Sequence, residues 1–402
     1  MNSKVWLAIS LLLAIILYWQ YQAATPQTAS GDRHSANHST NQTNSQLESQ
    51  NKSTHWADSF SLQAQASQNS QTQANPLTDN INDAQSSLDD DEATEASAIK
   101  RCPFAEFTDQ EHQLLDSQLT AFFNEGYAVD DIELRKLGYI FSADSGASNH
   151  HKRLFFSDYL QDNPNDSIAV HQLLKACLQL PHDKGCGEQL DTLVAQSDND
   201  NGYLWLQLAT NKLVQRKPSQ FIRYLEIAAS KSRFDNYYFN YVDLFLSTSI
   251  GRIDIAYTKL RNTADELASA QLNNLSYLVD FCTGNLNKYQ DSCLRLAKSL
   301  DGNSKNVDLQ SFGSGLLKEI YRTLDDDEAL AEQTALDQQR YSELYNQDWV
   351  NAQSLMQYDQ ELMVTWLENG KLFGEQAAVS ALLSEAKLKS INPDYLPCPL
   401  NQ

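Results

Sequence analysis

The sequence predicts an all-α chain in which antiparallel helix hairpins stack into a superhelix, preceded by a single transmembrane helix and a disordered linker. Three observations predict it. Apolar residues recur at helical period from Thr108 towards the C-terminus, and strand-like alternation is not evident anywhere. Glycine and proline number 14 and 9 of 402 residues, about half their usual share, so the turn punctuation of a sandwich or barrel is missing. Composition also changes abruptly along the chain, which divides into residues 1–22, 23–100 and 101–402. The formal net charge is −22, from 52 acids and 30 bases, and its negative excess lies in the second and third segments. That balance argues against nucleic acid as a partner, because a phosphate backbone calls for clustered Lys and Arg.

Residues 1–22 read as an uncleaved signal anchor. Lys4 precedes an apolar run from Val5 to Tyr18 broken only by Ser10, and Trp19 and Tyr21 follow at the height of a headgroup belt. A spanning helix needs about 17 residues or more, a limit this stretch only just meets. The alternative, a cleaved signal peptide, needs small residues at −3 and −1. Cleavage after Ala24 would put Gln22 at −3. Lys4 on the inner side sends everything after Tyr21 out of the cytoplasm. Residues 23–100 are dominated by Ser, Gln, Asn, Thr, Asp and Ala and end near the acidic run Asp89, Asp90, Asp91 and Glu92. So little apolar area cannot offset the entropy of ordering the chain. As a coil this linker spans about 50 Å on average.

The helices of residues 101–402 follow in order. Thr108 and Glu111 form a capping box ahead of the apolar stripe Leu114, Leu115, Leu119, Phe122 and Phe123. Helical runs then cover Asp130 to Phe141, Lys152 to Leu160, Ser167 to Leu180, Glu188 to Gln196, Gly202 to Gln215 and Ser219 to Ser230. Pro181 and Pro218 stand between runs, where proline belongs. Further runs occupy Phe234 to Leu246, Ile253 to Leu267, Gln271 to Phe281, Tyr289 to Leu300, Leu309 to Leu324, Asp327 to Leu344, Met356 to Glu368 and Glu375 to Leu388. Helices of such length with short connections form antiparallel hairpins packed side by side.

Hairpins begin near Ser167, Gly202 and Phe234, a spacing close to the 34 residues of a tetratricopeptide repeat. Trp205, Leu208, Ala209 and Ala228 match positions of that repeat, so the stretch from Ser167 to Leu300 resembles a degenerate tetratricopeptide array. It departs from the pattern at Lys212, where an aromatic is usual, at Phe221, where Ala is usual, and at Arg233, where Pro is usual. The resemblance implies a right-handed superhelix with a concave face that binds polypeptides, and no chemistry.

All six cysteines lie beyond the expected anchor, in a compartment that permits oxidation. Cys177 and Cys186 straddle one expected helix-to-helix turn, and Cys282 and Cys293 another. A disulfide at each would staple a hairpin, provided the Cα atoms approach within about 7 Å. This spacing is similar to that of cysteine-stapled helical-repeat proteins of bacterial envelopes. Cys102 and Cys398, at the ends of the domain, pair if the superhelix curls back and stay apart if it remains open. Six cysteines allow 15 connectivities. Cys177, His182 and Cys186, with His150 and His151 nearby, are the nearest approach to a metal set. They lack a fourth ligand at a recognised spacing, so no metal and no cofactor is expected.

The motifs of serine hydrolases, phosphate-loop enzymes, zinc peptidases and dinucleotide enzymes are absent. Asp325, Asp326, Asp327 and Glu328 precede a helix and suit its N-terminal dipole. Aromatics surround one helix, with Phe234, Tyr238, Tyr241 and Phe245 on a stripe that packs between hairpins. Tyr237 and Tyr238 are the candidate partner-binding residues, if they stand on the concave wall with an apolar ring and a hydroxyl turned to a bound peptide. The expected function is therefore a membrane-anchored, extracytoplasmic scaffold for a protein partner in the cell envelope. It would sit in the inner membrane as a single-pass protein, its domain on the periplasmic side. The alternative is a glycan-acting envelope enzyme with a cryptic acidic site.

Overall fold

The computed structural model describes residues 98–398 except 142–147, 188, 273–274 and 345. The expected anchor and nearly all of the expected linker lie outside the described residues. No helix among the described residues is long and apolar enough to cross a membrane. The described residues form α-helices joined by short loops, with isolated bridges and no strand.

The N-terminal helices are α1 (Asp109–Ala128), α2 (Ile132–Phe141) and α3 (Asn149–Asp162). The Thr108 capping box is present, with the Thr108 N–H donating to Glu111 at 2.9 Å. Next come α4 (Ser167–Leu178), a 3-10 turn at Lys184–Cys186, α5 (Leu190–Asp198), α6 (Gly202–Val214) and α7 (Pro218–Ala229). Pro218 is the first residue of α7, where its missing N–H costs nothing. The chain continues through α8 (Tyr238–Ser249), α9 (Tyr257–Ser269), α10 (Ser276–Gly284), α11 (Leu286–Asn303), α12 (Val307–Thr323) and α13 (Asp327–Leu344). It ends with α14 (Gln347–Met356), α15 (Gln360–Phe373) and α16 (Glu375–Ile391).

Two sequence expectations are corrected here. The run assigned to Met356 to Glu368 starts at Gln360, where Asp359 caps α15, and α14, which the sequence pattern did not show, precedes it with Asn346 as its cap. The run beginning at Phe234 is not helical until Tyr238, and Tyr237 adopts a left-handed φ of 64° just before α8 starts.

Helices pack as neighbouring pairs, α1 on α2, α3 on α4, α6 on α7, α8 on α9, α11 on α12 and α15 on α16. The order of stacking departs from strict sequence order. Helix α4 packs on α6, α6 on α10 and α10 on α12, while α7 packs on α11. The hairpins α4/α5, α6/α7, α10/α11 and α12/α13 thus form one continuous stack, and α8/α9 leaves it. Helix α8 lies instead against α2 and α15, and its Tyr241 reaches His171 of α4. That location explains the aromatics of α8, which are buried against its neighbours while Asp243 and Ser247 keep to its outer side. Phe245 meets Phe123 and Phe141, and Phe239 packs on Trp366. Gly202 and Gly370 permit this approach, because a Cβ at either would lie 2.5 Å or less from a Phe234 or Phe239 ring carbon.

The loops that open α6, α8, α12 and α16 run side by side. Gly202 donates to the Arg233 carbonyl at 2.8 Å, Phe234 to Asn303 at 2.9 Å and Lys305 to Phe234 at 2.8 Å. Glu375 donates to the Lys305 carbonyl at 2.6 Å. Asn201 locks the row by donating to the Asp235 carbonyl at 2.9 Å and accepting its N–H at 3.0 Å. The opposite edge of the stack carries the turns within hairpins.

The described chain ends meet. Residues 99–105 cross α14 and α16, with Lys100 N–H on Ser390 at 3.0 Å and Cys102 N–H on Ser354 at 3.1 Å. A disulfide then joins Cys102 to Cys398 with Cα atoms 5.3 Å apart.

Candidate functional site

All six cysteines are paired, the two hairpin pairs as their spacing suggested and Cys102 with Cys398, the pairing that the sequence left open. Cys177 bonds Cys186 and Cys282 bonds Cys293, with Cα separations of 5.4 and 5.7 Å, besides the terminal pair. The first staple holds the end of α4 to the 3-10 turn rather than to α5 itself. The second joins α10 to α11 beyond a kink at Tyr289, the residue at which the sequence pattern had placed the start of that helix.

The first staple also shapes a cleft. Leu208 and Lys212 supply one wall, four residues apart on α6. Lys217, Gln220, Arg223 and Tyr224 supply the other from the start of α7, and Gly187 and Asp191 close it. Its volume is about 270 Å³. Backbone carbonyls of the stapled turn fix its floor, Gly187 accepting from Lys212 Nζ and Cys186 from Gln215 Nε2, each at 3.4 Å. Tyr224 donates to Asp191 Oδ2 at 3.1 Å and stacks on Trp205 with ring centroids 6.0 Å apart. Burial, then the Asp191 charge, push the Tyr224 phenol above its ordinary value. Lys212 is only 4% exposed. Among the described residues that line it, Lys212, Lys217 and Arg223 stand with Asp191, on a chain whose net charge is −22.

The residues expected to contact a partner are placed otherwise. Tyr237 is 4% exposed, and its hydroxyl donates to Asp198 Oδ2 at 2.7 Å. Tyr238, half-buried, donates to Asp265 Oδ1 at 3.0 Å and meets Trp366 edge-on. Neither stands on an open wall, because Tyr237 is the residue that opens α8 and Tyr238 its first, and both are held against their neighbours. The polar groups around them are buried with them. Tyr241 takes a hydrogen bond from Gln172 at 2.9 Å, and its hydroxyl is hydrogen-bonded with His171 Nδ1, 2.6 Å away. Burial, helped by Lys175, pushes His171 down to about 3. Such a histidine stays neutral and supports packing.

The other singled-out residues serve local structure. Cys177 and Cys186 are disulfide-bonded, and His150 contacts Asp183 at 3.3 Å. Among the described residues no group of three His, Cys, Asp or Glu side chains could hold a metal ion. Asp326 accepts the Ala329 N–H at 3.1 Å, so it caps α13, and Asp327 and Glu328 lie in the first turn. Sequence reasoning missed the cleft. Its signal was present in Lys212, a charge where the tetratricopeptide pattern has an aromatic. No family model matches the chain, and comparison with curated proteins and with solved structures gives no match.

Proposed function

We propose that this chain is a tetratricopeptide-like, cysteine-stapled scaffold of the cell envelope. An N-terminal anchor and long linker would hold it on the outer side of the inner membrane, where it engages a protein partner. The observation that carries this reading is the stack of hairpins α4/α5, α6/α7, α10/α11 and α12/α13, with the chain's own α8 docked beside it. Packed helix pairs that already hold one amphipathic helix have the surface chemistry to hold another. Three disulfides support the compartment, since such bonds persist in oxidising surroundings. Because Tyr237 and Tyr238 are taken up by the fold, the partner would meet outer surfaces of the stack rather than the α8 face.

Chemical crosslinking in intact cells followed by purification in mild detergent tests the function. One stoichiometric partner, bound again by the purified domain and protecting stack amides from hydrogen exchange, is the expected result. A monomer with no such partner that cleaves envelope glycans would establish the enzyme reading instead. Compartment is checked separately with a thiol reagent: native protein should show no reactive cysteine, and six free thiols would refute the export claim.

A further inference from the structure

We propose that the groove across α14 and α16 is a docking site for an extended, lysine-bearing polypeptide segment, held shut by the chain's own residues 99–105 until a dithiol reduces the Cys102–Cys398 bond. The site lies apart from the stack of hairpins, so the inference stands whether or not the stack engages a partner. The strap now in the groove shows what the groove recognises. Side chains of the groove reach its main chain. Asn351 Nδ2 donates to the Ile99 carbonyl at 3.3 Å, and the Tyr358 hydroxyl donates to that of Pro103 at 2.9 Å. Ser390, Ser354 and Gln357 accept the N–H groups of Lys100, Cys102 and Ala105 at 3.0, 3.1 and 3.0 Å. Such bonds give affinity for any extended segment, and the pockets for its side chains give the selectivity.

The strap also shows that selectivity. Ile99 is buried against the groove at 3% exposure. Lys100 Nζ donates to the Asn392 and Tyr395 carbonyls, each at 2.8 Å, and lies 5.8 Å over the Tyr395 ring. Two carbonyls and an aromatic face suit an ammonium. Cys102 is 1% exposed, so a much larger side chain there would overpack the site. The occupant is thus a segment in which an aliphatic residue is followed directly by lysine and, two places later, by a small residue. A chain of net charge −22 draws such a basic segment in.

The disulfide supplies the gate. Cys177, Cys186, Cys282 and Cys293 are at most 1% exposed, whereas Cys398 is half-buried and follows a run of largely exposed residues after α16. Exchange requires a thiolate to reach a sulfur, so the terminal bond is the first to meet a reductant. One thiolate of the dithiol attacks Cys398 Sγ and forms a bond to it as the Cys102–Cys398 bond breaks. Cys102 leaves as a thiolate and takes up a proton. The second thiol of the reductant then displaces Cys398 and closes the reductant's own disulfide. Two electrons and two protons have passed to the protein, and the strap, which has no helix or strand of its own, is free to leave.

The test begins with the oxidised full chain, limiting dithiothreitol and iodoacetamide. Peptide mapping should find Cys102 and Cys398 alkylated at least about tenfold sooner than the staple cysteines. The carbamidomethyl group on Cys102 then keeps the strap from returning to its buried place. Fluorescence anisotropy follows a labelled peptide with the sequence of residues 98–105 carrying Cys102→Ser. Saturable binding to the alkylated chain is expected, with the oxidised chain and a scrambled peptide of the same composition each at least about tenfold weaker. Ile99→Ser and Lys100→Gln, made in the peptide so that the protein's folding is untouched, should each weaken binding as much. Five results overturn the proposal: staples reduced as early as the terminal bond, helix lost by circular dichroism when that bond alone opens, no saturable peptide binding, equal binding by the oxidised chain or the scrambled peptide, or an opened chain that dimerises through its own straps in place of taking up the peptide.

Discussion

Single residues explain why this chain departs from the repeat pattern it resembles. Lys212, Phe221 and Arg233 stand where the expected pattern has an aromatic, an alanine and a proline, and each has work in the fold. Lys212 charges the cleft. Phe221 is fully buried and meets Phe281 of α10 edge-on at 4.4 Å, filling the gap left where α8/α9 leaves the stack. Arg233 gives its carbonyl to Gly202 and its guanidinium to Asp198 and Asp235. A proline there would fit the carbonyl but not the ion pairs. Two titrations follow at this scale. Folded His171 is held down to about 3, whereas the unfolded imidazole protonates near 6.5. Stability should therefore fall as pH drops below about 6.5, by about 1.4 kcal/mol per unit until the folded group titrates. Thermal melts of His171→Gln between pH 7 and pH 4 should lose that slope. Glu375 is pushed up to about 7 by burial first and by the neighbouring Asp308 second, against the hydrogen bond it accepts from Val307 N–H at 2.8 Å. An unfolded glutamate ionises near 4.3, so this group opposes folding as pH rises from there through 7. Glu375→Gln should raise the melting temperature at pH 8 and change it little at pH 4.

Among the elements, α8 decides how the inner helices are used. Its aromatics were legible in the sequence, and so was the reading that they pack between hairpins. Its partners were not, because α2, α4 and α15 are remote in sequence and meet it only through the tertiary fold. The expectation that Tyr237 lines a groove inverted the roles, since the helix carrying these tyrosines is itself the occupant. Tyr237→Ala should cost about 3 to 5 kcal/mol, as for other large buried aromatics. Tyr237→Phe should cost about 1.5 to 3 kcal/mol, the value of a hydrogen bond to a charged group. Chemical denaturation of both variants separates ring from hydroxyl. Gly202→Ala sets a Cβ 2.5 Å from the Phe234 ring and should destabilise by about 1 to 3 kcal/mol. Phe234→Leu in the same chain should recover part of that loss, because it trims the ring that clashes. Helix ends were less legible than helices. Asn346 caps a helix that was not expected and Asp359 caps the one expected from Met356, but Asn and Asp are common in loops as well.

At the scale of the whole described domain, the terminal disulfide separates an open array from a closed one. The Cys102–Cys398 bond has a sequence separation of 296 residues, against 9 and 11 for the staples. In the chain-entropy model the long closure is worth about 6 kcal/mol and each short one about 3 kcal/mol. Replacing Cys102 and Cys398 together by Ser should lower the melting temperature more than replacing either staple. Hydrogen exchange in that variant should rise first in residues 99–105 and along α14 and α16, which they cross. The sequence by itself determined the all-helical class, the positions of most helices and the hairpin cysteine pairs. Those features rest on contacts within a few tens of residues, where periodicity and spacing are visible. Only the tertiary structure decided that α8/α9 leaves the stack, that the ends of the domain meet, and that three cations of an acidic chain share one cleft. Each of these depends on which distant faces bury the most apolar surface against one another, a choice made by the three-dimensional packing of the whole domain and not by any local run of residues.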